Sequence, residues 1–429
     1  MTRPGLFSVL AAITINWQAS VASAQSVTPP SPRPVGQIVT IMVAGDTGYS
    51  PNHATVHHRG VTRHGRFQSW RQTTERIAAI INGDLNFLNV ETVVTASNRL
   101  TRDLKGQRGP FNFRTHPNGI RHLVDVGFNV MSLANNHSMD YGAAGLRDTL
   151  RYMDGMRRHG LLAAAGIGLN REQASRPHVL QVKGADVAFS AIGIVTNNLA
   201  RHRAGKNKAG QIAYRFDDDF ALSVRRLAAT PSSYRILSIH YGLEGRVRTD
   251  QRQIREWRRQ AALGAGIDLI IGHHAHVPRA VEIAGHSVIF YGLGNFLHHG
   301  TANMSGKGVC KDFGLLGKLY LLRQPNGRLR VRAVEVTPVG QTHWRPEPLP
   351  PRAAQVRLHA LNYLAAQLGH GDDQSKGMRF SGRSNGRGLY CFPGAERDPG
   401  EIGRLCRNWR RPARIPSSLR GRIAQSCAR

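Results

Sequence analysis

The residues of this chain that could do chemistry fall in short clusters, each closing an apolar run. The densest is Gly272-His273-His274-Ala275-His276, directly after the apolar stretch 267–271. Neutral imidazole is the commonest protein ligand for zinc, manganese or iron, so three histidines in four residues suit a divalent transition metal. His274 and His276 are the two donors expected from that turn. A second cluster, Ser132-Leu133-Ala134-Asn135-Asn136-His137-Ser138-Met139-Asp140-Tyr141-Gly142, follows the apolar residues Phe128, Val130, Met131 and Leu133. Asn136 brings a carboxamide oxygen there and His137 another imidazole. Asp46 follows the run Ile38 to Val43, Glu91 follows Gly83 to Val90, and His240 ends Arg235 to His240. Any one of these could be a helix cap or a solvated turn. Together, Asp46, Glu91, Asn136, His240, His274 and His276 make a ligand set for one or two divalent ions, Mn, Fe or Zn. Asn135, Asp140, Glu244, His273 and Asn295 lie in the same motifs and are candidates for a supporting layer.

Such residues converge only if strands deliver them. Open α/β folds bind ligands just beyond the carboxyl ends of their strands, and every cluster sits at such an end. Glu91 follows Asp46 by 45 residues and Asn136 follows Glu91 by another 45, a spacing that suits successive strand, helix and loop units. Apolar patterning predicts strands at 38–43, 83–90, 166–168, 187–194, 235–240, 267–271 and 287–291. It predicts helices at 75–81, 119–126, 140–156 and 251–263. Residues 315–322 and 329–336 read as a hairpin through Pro325-Asn326-Gly327. The stretch 51–65, with His53, His57, His58, His64, Arg59 and Arg63, reads as a basic loop over the site.

The chain has 429 residues, enough for one large domain or two medium ones. Arg3 precedes an apolar stretch from Leu6 to Ile15, and Ala22-Ser23-Ala24 forms a small-residue cleavage pattern. Residues 1–24 therefore read as a signal peptide cleaved near Ala24, which gives a periplasmic or extracellular protein with no transmembrane helix in the mature chain. Residues 25–36, rich in Pro and Ser, read as a linker. In an oxidising compartment Cys310, Cys391, Cys406 and Cys427 favour two disulfides, and three pairings are open. The formal net charge of +31 favours a polyanionic partner. No nucleic-acid-binding signature is present, so nucleic acid is disfavoured against an anionic polymer or a phosphorylated small substrate. Beyond a Pro-rich break near residue 345 comes a short helix at 353–368. The Arg-rich remainder, which holds three of the four cysteines, reads as an appendage outside the catalytic body.

In order, these motifs resemble the calcineurin-like metallophosphoesterases. More closely they resemble the bacterial capsule-synthesis CapA family, which is linked to poly-gamma-glutamate production. The resemblance rests on Gly45-Asp46, Asn89-x-Glu91, the Asn135-Asn136-His137 motif, His240-Tyr241-Gly242-x-Glu244, Gly272-His-His-Ala-His-Val277 and Tyr291-Gly-Leu-Gly-Asn-Phe296, over residues 38–340. It implies a four-layer α/β/β/α sandwich over residues 37–344 and a dinuclear metal site. His137 would then be the phosphate-stabilising donor or general acid, and two metals would neutralise charge on a phosphoryl group. It also implies a place beside a membrane synthase, either as a hydrolase or as a non-catalytic holder of the polymer. Two positions depart from the phosphoesterase pattern. Gly48 stands where a histidine is usual, and Glu91 where a bridging aspartate is usual, which leaves one metal position short of an imidazole.

Overall fold

Long buried runs alternating with amphipathic helices make an α/β protein, and the computed structural model has that architecture. It describes Met1 and residues 36–49, 54–106, 108–194, 201–301, 303–368 and 375–428. The predicted signal peptide beyond Met1, the predicted linker up to residue 35, and His53 lie outside the described residues.

Two large sheets carry the chain. The ten-stranded sheet runs Ser381–Gly382, Gly388–Cys391, Leu329–Gly340, Gly314–Arg323, Ile38–Gly48, Leu85–Val90, Val130–Ser132, Ala163–Ala165. Asn295–His298 pairs with Ile38–Gly48, and Glu347–Pro348 with Leu329–Gly340. The seven-stranded sheet runs His178–Val182, Ala185–Gly193, Tyr234–His240, Leu269–His273, Ser287–Phe290, Val281–Ala284, Ser375–Gly377. In each, the strands that end in candidate residues are parallel: Ile38–Gly48 with Leu85–Val90 and Val130–Ser132, and Tyr234–His240 with Leu269–His273. Parallel pairing brings their carboxyl ends to one edge.

Alternation along the strands divides the apolar side chains among three main cores. One joins the two sheets, with Val39, Ile41, Phe87 and Val130 from the first and Val187, Phe189, Ile236 and Ile271 from the second. A second takes the opposite residues of the first sheet, Met42, Leu88 and Met131, with Ile120, Leu123, Leu146 and Met153 of the helices Pro117–Val126 and Gly142–Met156. The third takes Ala188, Leu237 and Ile270 of the other sheet with Phe220, Val224 and Leu227 of the helix Asp217–Ala229, and with Trp257.

Four expectations change. The stretch 51–65, read as a loop, includes the strands Thr55–Val56 and Gly60–Arg63, which pair with each other and, through the second, with Arg66–Ser69. The helix expected at 75–81 lies earlier, at Trp70–Thr74, because Ser69 and Gln72 form a reciprocal cap; only a 3₁₀ turn follows at Ala78–Ile80. The first strand does not stop at Val43. It continues to Gly48, with an irregularity between Val43 and Asp46, because Gly45 lets it run against Gly294: a Cβ at Gly45 would meet that carbonyl oxygen at 1.9 Å. The chain beyond residue 345 is no appendage. Ser375–Gly377 pairs with Val281–Ala284 in one sheet and Gly388–Cys391 with Leu329–Gly340 in the other. Disulfides join Cys310 to Cys427 and Cys391 to Cys406, which selects one of the three pairings. Among the described residues, no helix is long and apolar enough to cross a membrane.

Candidate metal centre

Glu91 is the hub of the site. It follows the strand Leu85–Val90, its backbone N–H donates to the Thr47 carbonyl at 2.7 Å, and its side chain is fully buried. Oε1 lies 3.4 Å from His240 Nε2, and 3.9 Å from both His276 Nε2 and His137 Nε2. Oε2 lies 3.3 Å from His298 Nε2. Neither oxygen has a hydrogen-bond partner among the described residues. Two ligand groups share this carboxylate, Glu91 with His240 and His274, and Glu91 with His276 and His298; in each the donor atoms lie within 4.8 Å of one another.

His240 is the meeting point of the first group. Its Nε2 is 2.8 Å from Asn136 Oδ1 and 3.1 Å from His274 Nδ1, and Asn89 Nδ2 is 3.1 Å from its Nδ1. In the second group Asn295 Oδ1 lies 2.8 Å from His276 Nδ1. His274 and His276 both hold left-handed backbone, φ 85° and 56°, a conformation costing L-residues on the order of 1–3 kcal/mol each. The packed strand ends on either side maintain it, and it turns both rings toward Glu91.

Asp46 reaches the cluster but spends its oxygens inside the protein. Oδ1 accepts from Asn89 Nδ2 at 2.8 Å and lies 3.0 Å from His273 Nδ1; Oδ2 accepts from the His274 N–H at 3.1 Å and lies 3.4 Å from His276 Nδ1. It thereby fixes the turn that carries the histidines. Asn135 ties the neighbouring loop down, donating to the Val90 carbonyl at 2.9 Å and accepting from the His137 N–H at 3.1 Å. Glu244 stands at the rim, 63 % exposed and 3.9 Å from His274 Nε2.

His137 is locked by its surroundings. Its Nδ1 is 2.6 Å from Asp140 Oδ2, and its ring lies flat on Phe113 at 3.6 Å. Lys105, only 4 % exposed, sits 2.5 Å from Asp140 Oδ1 and 3.3 Å from His137 Nδ1, and donates to the carbonyls of Phe111 and Asn136. The short Nδ1–carboxylate contact assigns the neutral ring's proton to Nδ1, so Nε2 presents its lone pair toward Glu91. Burial, and next the opposing pull of Asp140 against the Lys105 charge, leave the His137 pKa lowered to about 4.

Sequence reasoning missed Lys105, Phe113, Asn89 and, above all, His298. The signal for His298 was present: Asn295-Phe296-Leu297-His298 is another apolar run ended by a ligand type. Gly48 and His298 are register partners on parallel strands, and a Cβ at Gly48 would lie 2.4 Å from His298 Nε2. The imidazole absent from position 48 is supplied from a different strand.

The electrostatics fit a cation. Burial and Glu91 push the Asp46 carboxyl up, but the His273 and His276 rings outweigh them and hold it below the usual range. Burial likewise raises Glu91, and the His240 and His276 charges outweigh it. Two buried anions need positive charge among them. In the protein alone a proton on His276 supplies it: burial lowers that group, yet Glu91 and Asp46 push it up to about 10. An orphaned carboxylate between two imidazole pairs is a donor set of the kind that takes divalent metal ions.

With this geometry in hand, comparison with known proteins decides the family. The model of the bacterial capsule synthesis protein PGA_cap matches residues 40–299, which span every candidate from Asp46 to His298. The chain belongs to that family. Among its relatives, the PGA biosynthesis protein CapA of Bacillus subtilis (strain 168) is 29 % identical over 225 residues, 52 % of this chain and 55 % of that protein. The capsule biosynthesis protein CapA of Bacillus anthracis is 30 % identical over 182 residues, 42 % of each. A "Probable polyglutamine synthesis accessory protein" of Mycobacterium tuberculosis is 30 % identical over 234 residues, 53 % of this chain and 59 % of that one. The PGA_cap chain thus spans less than two thirds of the length of these relatives. A hypothetical protein from Thermus thermophilus superposes with a TM-score of 0.37 at 12 % identity, over 72 % of this chain and all of its own.

Proposed function

We propose that this PGA_cap protein is an exported accessory of anionic capsule or poly-gamma-glutamate synthesis, built as a four-layer α/β/β/α sandwich with a two-ion phosphoesterase-like site. The observation that carries the metal reading is the sharing of Glu91 by His240 with His274 on one side and by His276 with His298 on the other. The three cores support the layering, with helices outside and one core between the sheets. The A-x-A pattern before Gln25 and the two disulfides support export.

In this reading His240, His274 and Asn136 would hold one ion and His276 and His298 the other, with Glu91 serving both groups. When bound, the ions supply Lewis acidity and charge neutralisation for a phosphoryl group. The chain's own contribution is orientation. Asp140 and Lys105 hold His137 with Nε2 toward the centre, where the neutral ring accepts a proton and the imidazolium donates one. An arriving phosphate's negative charge favours the imidazolium. Asp46 keeps the His273–His276 turn in its strained form.

The test is metal content and turnover of the purified chain. About two transition-metal ions per chain and manganese-dependent cleavage of a phosphomonoester or phosphodiester are expected. Absence of stoichiometric metal would remove the hydrolase reading. The second reading, a non-catalytic holder of the polymer for a membrane synthase, is favoured by the +31 net charge and would then stand alone.

A further inference from the structure

Away from the metal centre, the extension beyond residue 345 carries a two-lobed cleft. The lobes have volumes of about 430 and 360 Å³ and share Trp409, Arg411 and Pro412. Arg383, Arg404 and Arg410 line the first and Arg379 the second, and among the described residues neither lobe has an acidic residue in its wall. Two neighbouring arginines are neutralised. Arg332 pairs with Asp398 at 2.5 Å and Arg387 with Glu335 at 2.8 Å, both beside the cleft. The five cleft guanidinium groups make no ion pair among the described residues. His359 also stands in the wall of the first lobe, 8 % exposed, with its Nε2 3.3 Å from Gln355 Nε2.

The cleft is also held rigid. The Cys391–Cys406 disulfide ties the strand Gly388–Cys391 to the helix Gly400–Cys406, Trp409 Nε1 donates to the Leu389 carbonyl at 2.8 Å, and Ser381 Oγ donates to the Arg410 carbonyl. Rigid walls spare a ligand the cost of ordering them. Guanidinium forks match carboxylates two oxygens at a time, and the indole and Phe380 between them give apolar surface for carbon chain. Five guanidinium groups over two lobes, without an ion pair among the described residues, exceed what a single small anion needs.

We infer that this cleft is a binding track for a linear polycarboxylate, distinct from the metal centre. It lies outside the residues that match the family model, so this chain carries it in addition to what that model describes. The inference rests on reading the protein as a handler of anionic polymer, and not on the metal reading.

The test uses the full chain and fluorescently labelled polyglutamate, with single-stranded DNA of equal charge as comparison, at about 0.15 M salt. The variant Arg383→Gln/Arg404→Gln/Arg410→Gln should weaken polyglutamate binding about tenfold or more and reduce the salt slope by roughly two to three, by analogy with counterion release from charged polymers. A control that neutralises the surface-paired Arg121, Arg151 and Arg157 removes the same charge and should bind like wild type. Equal loss in both variants would overturn the track, since net charge would then explain binding. So would DNA bound as tightly as polyglutamate. Glu91→Gln separates the two sites: it should lose metal and keep polymer, and polymer binding lost there alone would move the ligand to the metal centre and overturn the cleft.

Discussion

His298 Nε2 stands 2.4 Å from the point a Cβ on Gly48 would occupy, and the two residues are register partners. The His298 ring therefore requires a glycine at position 48. Gly48→Ala should push the ring aside, remove the imidazole that completes the His276 group and lower metal content from about two ions to about one per chain, with the fold kept. His298→Ala should do the same without the steric push. Elemental analysis with circular dichroism checks both, and unchanged metal content in Gly48→Ala would break the link.

Glu91→Gln tests the hub. The carboxamide keeps the shape but loses the charge that both histidine pairs face, so both ions should be lost together, with affinity down about 10- to 100-fold or more. Titration with manganese followed by calorimetry reads this directly. One ion retained at wild-type affinity would show that Glu91 does not serve both groups.

Lys105→Met removes the partner of a buried carboxylate. Leaving Asp140 unpaired should cost about 3–5 kcal/mol, and adding Asp140→Asn to Lys105→Met should return much of it. Urea unfolding of the single and double variants measures the difference. His137→Ala should by contrast keep metal and lose any turnover; loss of metal as well would make His137 a ligand.

His299 gives a pH dependence outside the ligand set. Its ring is fully buried, stacks on Tyr49 at 5.1 Å, and both nitrogens lack hydrogen-bond partners among the described residues. Burial, then the Arg63 charge, pushes its pKa from 6.5 down to about 3. Between those values the unfolded chain binds the extra proton. The stabilising effect is complete above about pH 6.5 and is lost as pH falls toward 3, by up to about 1.4 kcal/mol per pH unit for one proton. His299→Phe should flatten this slope in metal-free protein, and a slope left unchanged would assign it to other groups.

The disulfides predict unequal costs. Cys310–Cys427 spans 117 residues and Cys391–Cys406 spans 15, so in the loop-entropy account removing the first should cost about 5 kcal/mol and the second about 3. Thermal melts of the two paired Cys→Ala variants rank them. The reverse order would locate the stabilisation in the folded state.

What the sequence disclosed and what it concealed follow from the range of the interactions. Strands such as Ile38–Gly48 and Tyr234–His240 announce themselves by apolar runs, and a ligand type at the end of such a run is a local signal. Asp46, Glu91, Asn136, His240, His274 and His276 were legible for that reason. His298 ends such a run too, but what makes it a ligand, the space left by a glycine 250 residues earlier in the chain, is not local. Lys105 was hidden because a lysine in a basic Gly- and Pro-containing loop reads as solvated, and only tertiary packing shows it buried. The edge strands of the extension were hidden by their shortness: Ser375–Gly377 has three residues and no apolar run.

Both sheets take an edge strand from beyond residue 374, and this has a consequence in time. The strand Ile38–Gly48 emerges early, yet the sheet it belongs to gains Gly388–Cys391 only after most of the chain has appeared. Until then apolar faces and open strand edges are exposed together, the condition in which partly made chains associate wrongly. A protein laid out this way depends on being held apart from its neighbours during synthesis, and shortening it before residue 388 should yield aggregate rather than a smaller working core.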